Sequence, residues 1–323
     1  MENVSEVSRL TKTQRMRHKY ISTKFAGTLV VSVLRFLLLL GISFVVLYPL
    51  FLRLSTSLMF DSDLLDKTVV LIPRELSFNN YKTIMDFTGY KGAFINSAIL
   101  SVVSALLQTL VSVCVGYGLA KFRFRGRGLV MAAVVLTLLI PPSTIMTSLY
   151  LQFRFFDFFG ILGIFGSYIK ITDTFWPMII MSATGLALKN GLFIFVMRQS
   201  FMGIPDEMLE AAYIDGAGVY RTFGQITMPL SVSQMVTVFL ISFCWQWTDS
   251  FYSSIFYSDV KLLPNIISAI RSYHSTLTGP AAEYSLEGLL NIGLILIIVP
   301  LVLVYLFGQR FIKQGIERSG LTG

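Results

Sequence analysis

One base stands inside an otherwise uncharged apolar run. Lys189 interrupts Thr174–Met197, and a charge near a bilayer core costs at least about 2.5–3.5 kcal/mol on insertion scales. The ammonium must therefore face protein, water or an acid, and three uses stay open. It can reach along its stem to the aqueous surface or to wet space at a subunit interface. It can pair with Glu287, Asp249 or a partner's acid. It can contact an anionic or hydroxyl group of a solute, which would make acidic sugars or sugar phosphates candidate ligands. Asn190 can share that polar face. A second set, Trp245, Gln246, Trp247 and Asp249, closes a later apolar run. Tryptophan at a membrane interface needs no ligand. Alternatively Trp247 and Asp249 line a path, the indole stacking on a sugar face and the carboxylate accepting hydroxyl hydrogens. Asn96 and Gln108 suit hydrogen bonds between packed helices.

Other chemistries lack their residues. His18 and His274 are far apart and have no cysteine neighbours, which argues against a His/Cys metal site; no metal is expected. No Ser/His/Asp or Cys/His arrangement is available for nucleophilic catalysis, so no catalytic residue is assigned. Cys114 and Cys244 sit in apolar stretches, which excludes a disulfide framework. No G-x-x-x-x-G-K-[ST] loop and no Gly-Lys pair occurs. Without a phosphate cradle the chain is not expected to hydrolyse ATP.

The elements that must position these residues are membrane helices. Of the 323 residues, 54% are hydrophobic and 14% charged, against roughly 25% charged in soluble proteins. Mean hydropathy is +0.70. This composition excludes an ordinary soluble domain and implies an all-α, polytopic membrane protein. A span needs about 20 mostly apolar residues, and six runs qualify or nearly so: Phe36–Leu52, Ala93–Ala120, Gly128–Phe153, Thr174–Met197, Thr222–Thr248 and Gly288–Gln309. Pro141-Pro142 should kink the third. Phe158–Ile169 is too short to span and reads as an interfacial or re-entrant piece on the outside.

Charge sets the orientation. Basic residues crowd the segment up to Arg35, the 121–127 loop (Lys121, Arg123, Arg125, Arg127), the 198–221 connection and the end beyond Arg310. These parts become cytoplasmic by the positive-inside rule, with both termini inside. The net charge of +8 thus reads as topology, not nucleic-acid binding. The basic beginning is read as preceding a retained anchor, not a cleaved signal, and it can lie on anionic lipid. Expected divisions are a basic tail (1–32), a membrane domain (33–308) with a core from about 92 to 308, and a cytoplasmic tail (309–323).

One connection does not read as a passive loop. Pro205 suits the first position of a helix, and Asp206 and Glu207 then favour its first turn. Gly216 suits the stop. The spacing predicts a short cytoplasmic helix from Pro205 to Asp215. Ala211 and Ala212 keep one surface small for close approach, with Glu210 and Asp215 as acidic handles. A second short helix, roughly Val219–Ile226, should lead into Pro229.

The 199–229 segment resembles the EAA motif of ABC-importer permeases: Glu-Ala-Ala, three residues, Gly, nine residues, Ile, one residue, Leu-Pro. Here Glu210-Ala211-Ala212, Gly216, Ile226 and Pro229 keep that spacing, with Met228 in place of Leu. Phe193–Gln199, Ile204-Pro205, Trp247-Thr248-Asp249 (the family has Trp-Asn-Asp), Leu263-Pro264 and Gln309-Arg310-Phe311…Gly315 resemble the carbohydrate branch, the smaller permease of maltose-type importers. The likeness runs from about residue 30 to 323. It implies a type I (MetI-like) permease fold and a multi-pass place in the cytoplasmic, or inner, cell membrane. It also implies that Pro205, Glu210, Ala211, Ala212, Asp215 and Gly216 couple to an ATPase. The implied partners are a second homologous permease, two ATPase subunits that hold ATP and Mg, and an extracellular binding protein. This chain itself would bind no cofactor and import a carbohydrate. Permeases for amino acids or peptides also carry EAA motifs. An ion-coupled secondary transporter would predict inverted repeats and buried carboxylates, which the spans lack.

Overall fold

The computed structural model describes residues 23–320 other than 67, 159, 188 and 278–285. The expected basic tail up to residue 22, with His18, lies outside the described residues, as do 321–323. Among the described residues the fold is helical, with one isolated bridge, Phe156–Ile169. The chain divides into two units, Met1–Leu76 and Ser77–Gly323.

The first unit holds α1 (Thr23–Ser57) and α2 (Asp61–Leu65). The first expected span lies inside α1, whose Leu34, Phe36, Val45 and Phe51 are all exposed. A helix apolar on every side needs apolar surroundings, and a bilayer supplies them. The carboxylate of Asp63, within α2, accepts the backbone N–H of Arg74 at 2.9 Å, and the Arg74 side chain pairs with Asp66.

The second unit begins with α3 (Asn79–Thr88) and the long α4 (Tyr90–Lys121). In place of one third span stand α5 (Arg127–Leu139) and α6 (Pro142–Arg154), bent by 98°. Pro141 and Pro142 each lack an N–H, and the residue before a proline is driven extended; Ile140 has ψ 116°. The expected kink is therefore a corner. The piece read as interfacial forms a small hairpin around α7 (Ile161–Ile164). The fourth span is also interrupted, into α8 (Trp176–Thr184) and α9 (Asn190–Met202). Then come α10 (Asp206–Ile214), α11 (Val219–Thr222), a π-turn at Phe223–Thr227, α12 (Met228–Thr248) and α13 (Ser250–Phe256). The last helices are α14 (Ile266–Thr276) and α15 (Leu286–Gly320), which runs past residue 308 into the expected tail. The six expected segments thus map onto four long apolar helices among the described residues, Gly27–Ser57, Tyr90–Lys121, Val219–Thr248 and Leu286–Phe311, and two broken ones.

Helix α4 is the axis of this unit, packed by α8, α9 and α12. Gly116 permits the closest approach: a Cβ there would lie 2.9 Å from the backbone nitrogen of Arg198. Small residues at such crossings let helix backbones meet without a hydrophobic drive. Buried polar groups tie the helices together. Ser242 Oγ donates to Gln108 Oε1 at 2.9 Å, and Gln108 Nε2 donates to Ser182 Oγ at 3.4 Å. Asn96 Nδ2 donates to the Lys261 carbonyl at 3.1 Å. Gln108 takes the interhelical bonds its type suggests, whereas Asn96 instead holds the loop that precedes Leu263–Asn265.

Candidate functional site

The 205–216 segment folds as its residues require. Pro205 is the N-cap, with φ −57° and ψ 135°, one position earlier than expected. Its extended ψ keeps it just outside the helix, and Asp206 and Glu207 occupy the first turn. At the other end Gly216 takes φ +80°. Its N–H reaches the Tyr213 carbonyl at 3.0 Å, and the Ala217 N–H reaches Ala212 at 2.9 Å. This paired closure needs a left-handed residue just past the cap, which glycine adopts without a Cβ clash.

The helix has two faces. Leu209 and Ala212, three apart, are buried, whereas Glu210, Ala211, Asp215 and Gly216 are exposed. The two alanines therefore divide: Ala212 packs inward and Ala211 alone keeps the open face small. That divergence is geometric, since neighbours on a helix point about 100° apart. Beside the acids lies an exposed apolar patch, with Ile214 86% and Tyr220 92% accessible and Met208, Tyr213 and Val219 also exposed. Such groups crowded on one polar connection mark a surface meant to be covered.

A latch holds this helix to α4. Lys121 is 9% exposed at its side chain. It donates to the Ile204 carbonyl at 2.7 Å and to Asp206 Oδ1 at 2.6 Å. The hydrogen bond from Lys121, together with its charge, holds the Asp206 carboxyl below its ordinary range. Nearby, Tyr117 packs on Phe201 and Phe223, with centroids 5.6 and 4.6 Å away. The expected second helix is a single α turn followed by the π-turn, which runs on into α12. Pro229 has no N–H for the regular ladder, and the wide turn lies immediately before it. Single π-turns recur at functional positions in helices.

The path candidates separate into two groups. The fourth span breaks between Thr184 and Asn190, with Gly185 at φ +77° and Lys189 at φ +56°. Lys189 is exposed on the isolated chain, its Nζ 4.2 Å from the Trp245 ring centroid. Trp245 leans in turn on Phe193 at 5.4 Å. Among the described residues no ion pair joins Lys189 to Asp249, Glu287 or any other acid. A cation–π contact contributes about 0.5–2 kcal/mol, which falls short of the about 2.5–3.5 kcal/mol that a buried charge costs on insertion scales. The ammonium still needs water or an anion. Asn190, 1% exposed, accepts from Ser112 Oγ at 3.4 Å, while its Nδ2 finds no acceptor among the described residues.

Trp247 and Asp249 lie elsewhere. Trp247 is 2% exposed, donates Nε1–H to the Ile297 carbonyl at 3.0 Å, and packs between Phe94 and Phe243. It locks α12 to α15 and does not face an open path. Asp249 caps α13, Oδ1 accepting from the backbone of Phe251 and Tyr252 at 3.1 and 3.3 Å, and is buried. Trp245, not Trp247, is the indole that stands beside Lys189. Two residues along a helix turn about 200°, so a buried Trp247 leaves Trp245 on the opposite face. That relation was available in the sequence, but which of the two faced inward was not.

The chain is similar to known membrane transport proteins. The family described as "Binding-protein-dependent transport system inner membrane component" matches residues 112–318. The sn-glycerol-3-phosphate transport system permease protein UgpE of Yersinia pestis is 28% identical, over 88% of this chain and 94% of its own length. The arabinooligosaccharides transport system permease protein AraQ of Halalkalibacterium halodurans is 26% identical over 90% and 98%. A crystal structure of a bacterial ABC transporter involved in import of the acidic polysaccharide alginate superposes with a TM-score of 0.69. It covers 87% of this chain and 96% of the other at 20% identity, a likeness of fold.

Proposed function

Because this chain belongs to the binding-protein-dependent transport system inner membrane components, we propose that it is the permease subunit of an ATP-driven importer for a carbohydrate or a closely related polyol. The observation that carries this reading is the 205–216 helix: latched to α4 on one face, it offers Ile214, Ala211 and the acids Glu210 and Asp215 on the other. That surface suits the groove of an ATPase subunit. The names of the relatives, one for arabinooligosaccharides and one for sn-glycerol-3-phosphate, support the cargo class.

In this reading the complex contains a second, homologous permease, two ATPase subunits carrying ATP and Mg, and an extracellular binding protein. The chain itself catalyses no reaction. Both termini and the 205–216 helix face the cytoplasm, as the basic residues of the 121–127 loop and the 310–318 end favour. ATP binds the closed ATPase pair more tightly than the open one. That difference, transmitted through the 205–216 helix, shifts the population between outward-open and inward-open states. The test is to tag the chain, extract it in mild detergent and identify what co-purifies by mass spectrometry. An ATPase subunit together with a second permease is the expected result. Recovery of the chain alone, or as a homo-oligomer without an ATPase even after cross-linking, would overturn the proposal and bring an ion-coupled transporter forward.

A further inference from the structure

We propose that the break between α8 and α9 is an anion-binding step on the solute path, where Lys189 and the start of α9 receive the carboxylate or phosphate of an acidic sugar lying against Trp245. This rests on the permease reading and adds a substrate class to it. Four observations meet at the break. Lys189 is exposed on the isolated chain and has no acid partner among the described residues, although it sits in the middle of an apolar segment. Helix α9, 13 residues long, starts at Asn190 just after its N-cap Lys189, with no side-chain cap; the Asn190 and Leu192 N–H groups already reach the Ala187 and Lys189 carbonyls, so what favours an anion there is the positive end of the helix dipole. The Asn190 amide, 1% exposed, keeps an unpartnered Nδ2. It is aimed into the break, for a Cβ on Gly185 would stand 3.3 Å from it. Trp245, half-buried, holds its ring 4.2 Å from the Lys189 ammonium, so a ligand that draws the ammonium off the ring meets both the cation and the indole face it uncovers. A neutral sugar would use the ring and leave the charge unanswered; a simple anion would do the reverse. An acidic sugar answers both.

Lysine at φ +56° is a conformation that non-glycine residues seldom adopt. The strained residue is also the charged one, as expected where placing that charge matters more than local backbone comfort.

The test uses the complex with its co-purified subunits, in nanodiscs of phosphatidylcholine. It is titrated with sodium glucuronate, and separately with glucose at matched sodium chloride, while tryptophan fluorescence is followed. The Trp245→Phe variant isolates the Trp245 share, since Trp176 and Trp247 remain. We expect a saturable response to glucuronate, none to glucose, and loss of the response in Trp245→Phe. The midpoint should rise at least about tenfold in Lys189→Gln, the loss of one hydrogen bond to a charged group, and stay near wild type in Lys189→Arg and in the distant control Lys82→Gln. Asn190→Asp, which places a negative charge where the anion should sit, should abolish the response, and it carries the test if Lys189→Gln does not assemble. An unchanged midpoint in Lys189→Gln, an equal response to glucose, or no response in the wild type would overturn the proposal. So would a response that appears only when phosphatidylglycerol replaces phosphatidylcholine, which would assign the site to lipid headgroups. If ATPase subunits co-purify and glucuronate still fails, the permease reading stands and this one falls.

Discussion

Replacing Lys121 by Met should loosen the 205–216 helix from the body of the permease. Lys121 Nζ makes two bonds there, to the buried Ile204 carbonyl at 2.7 Å and to Asp206 at 2.6 Å. The first carries the energy. A charged donor on a buried carbonyl contributes about 1.5–3 kcal/mol, and each 1.4 kcal/mol is a factor of about ten in an equilibrium. The undocked population should therefore rise at least about tenfold. The second bond ends on a solvated carboxylate, and such exposed pairs contribute little. Lys121→Met should accordingly cost far more than Asp206→Asn. The assay is uptake per ATP hydrolysed in proteoliposomes of the whole complex. Lys121→Met should lower that ratio several-fold while assembly with the partner permease persists. Wild-type coupling in Lys121→Met, or an equal loss in Asp206→Asn, would refute the latch.

Three further outcomes are expected. Gly216 at φ +80° has no neighbour that a Cβ would strike, so backbone conformation alone penalises a side chain there. Gly216→Val should cost about 1–2 kcal/mol and uncouple uptake from ATPase activity, whereas Gly216→Asn, which tolerates the left-handed region, should couple nearly normally. Asp173 at φ +63° clamps one loop to another, its Oδ1 accepting from Ser258 N at 2.7 Å and Asp259 N at 3.2 Å and its Oδ2 facing Lys170 at 2.9 Å. Asp173→Ala should speed hydrogen exchange at 256–260 by the loss of about 1–3 kcal/mol of local stability, and Asp173→Asn should do so less. Hydrogen bonding from Lys121 depresses the Asp206 carboxyl, and hydrogen bonding from Lys170 depresses that of Asp173. A carboxylate with a lowered folded pKa stabilises above its ordinary value and loses that contribution as pH falls through the depressed range. Loop protection at 256–260 should thus be flat from about pH 5 to 8 and fall only in stronger acid, whereas coupling, which rests on the Ile204 carbonyl and little on Asp206, should hold through that range as well; a step in either near neutrality would contradict the contacts.

The apolar runs and basic loops made the membrane helices legible, because length and charge alone decide what a bilayer accepts. The 205–216 helix was legible almost to the residue, since its proline, first-turn acids and closing glycine each act locally. Its faces were less so: that Ala212 packs inward while Ala211 stays open depends on what lies beneath. Pro141-Pro142 announced a bend, but not a 98° corner, whose angle is set by the extended residues between the two helices. The break at 185–189 was hidden. Gly185 alone can pass within a helix, and nothing local marks a lysine as left-handed. Trp245 and Trp247 were indistinguishable in type, and only the packing of α12 against α15 decided which was buried.

The most direct test of the account is a photo-crosslinking residue at position 214, where the native Ile214 is the most exposed large apolar side chain of the 205–216 helix at 86%. In the assembled complex it should capture an ATPase subunit in high yield, and the yield should change when ATP binds. Capture of lipid alone, or of another permease with no ATPase adduct in any nucleotide state, would contradict the claim that this helix transmits the power stroke.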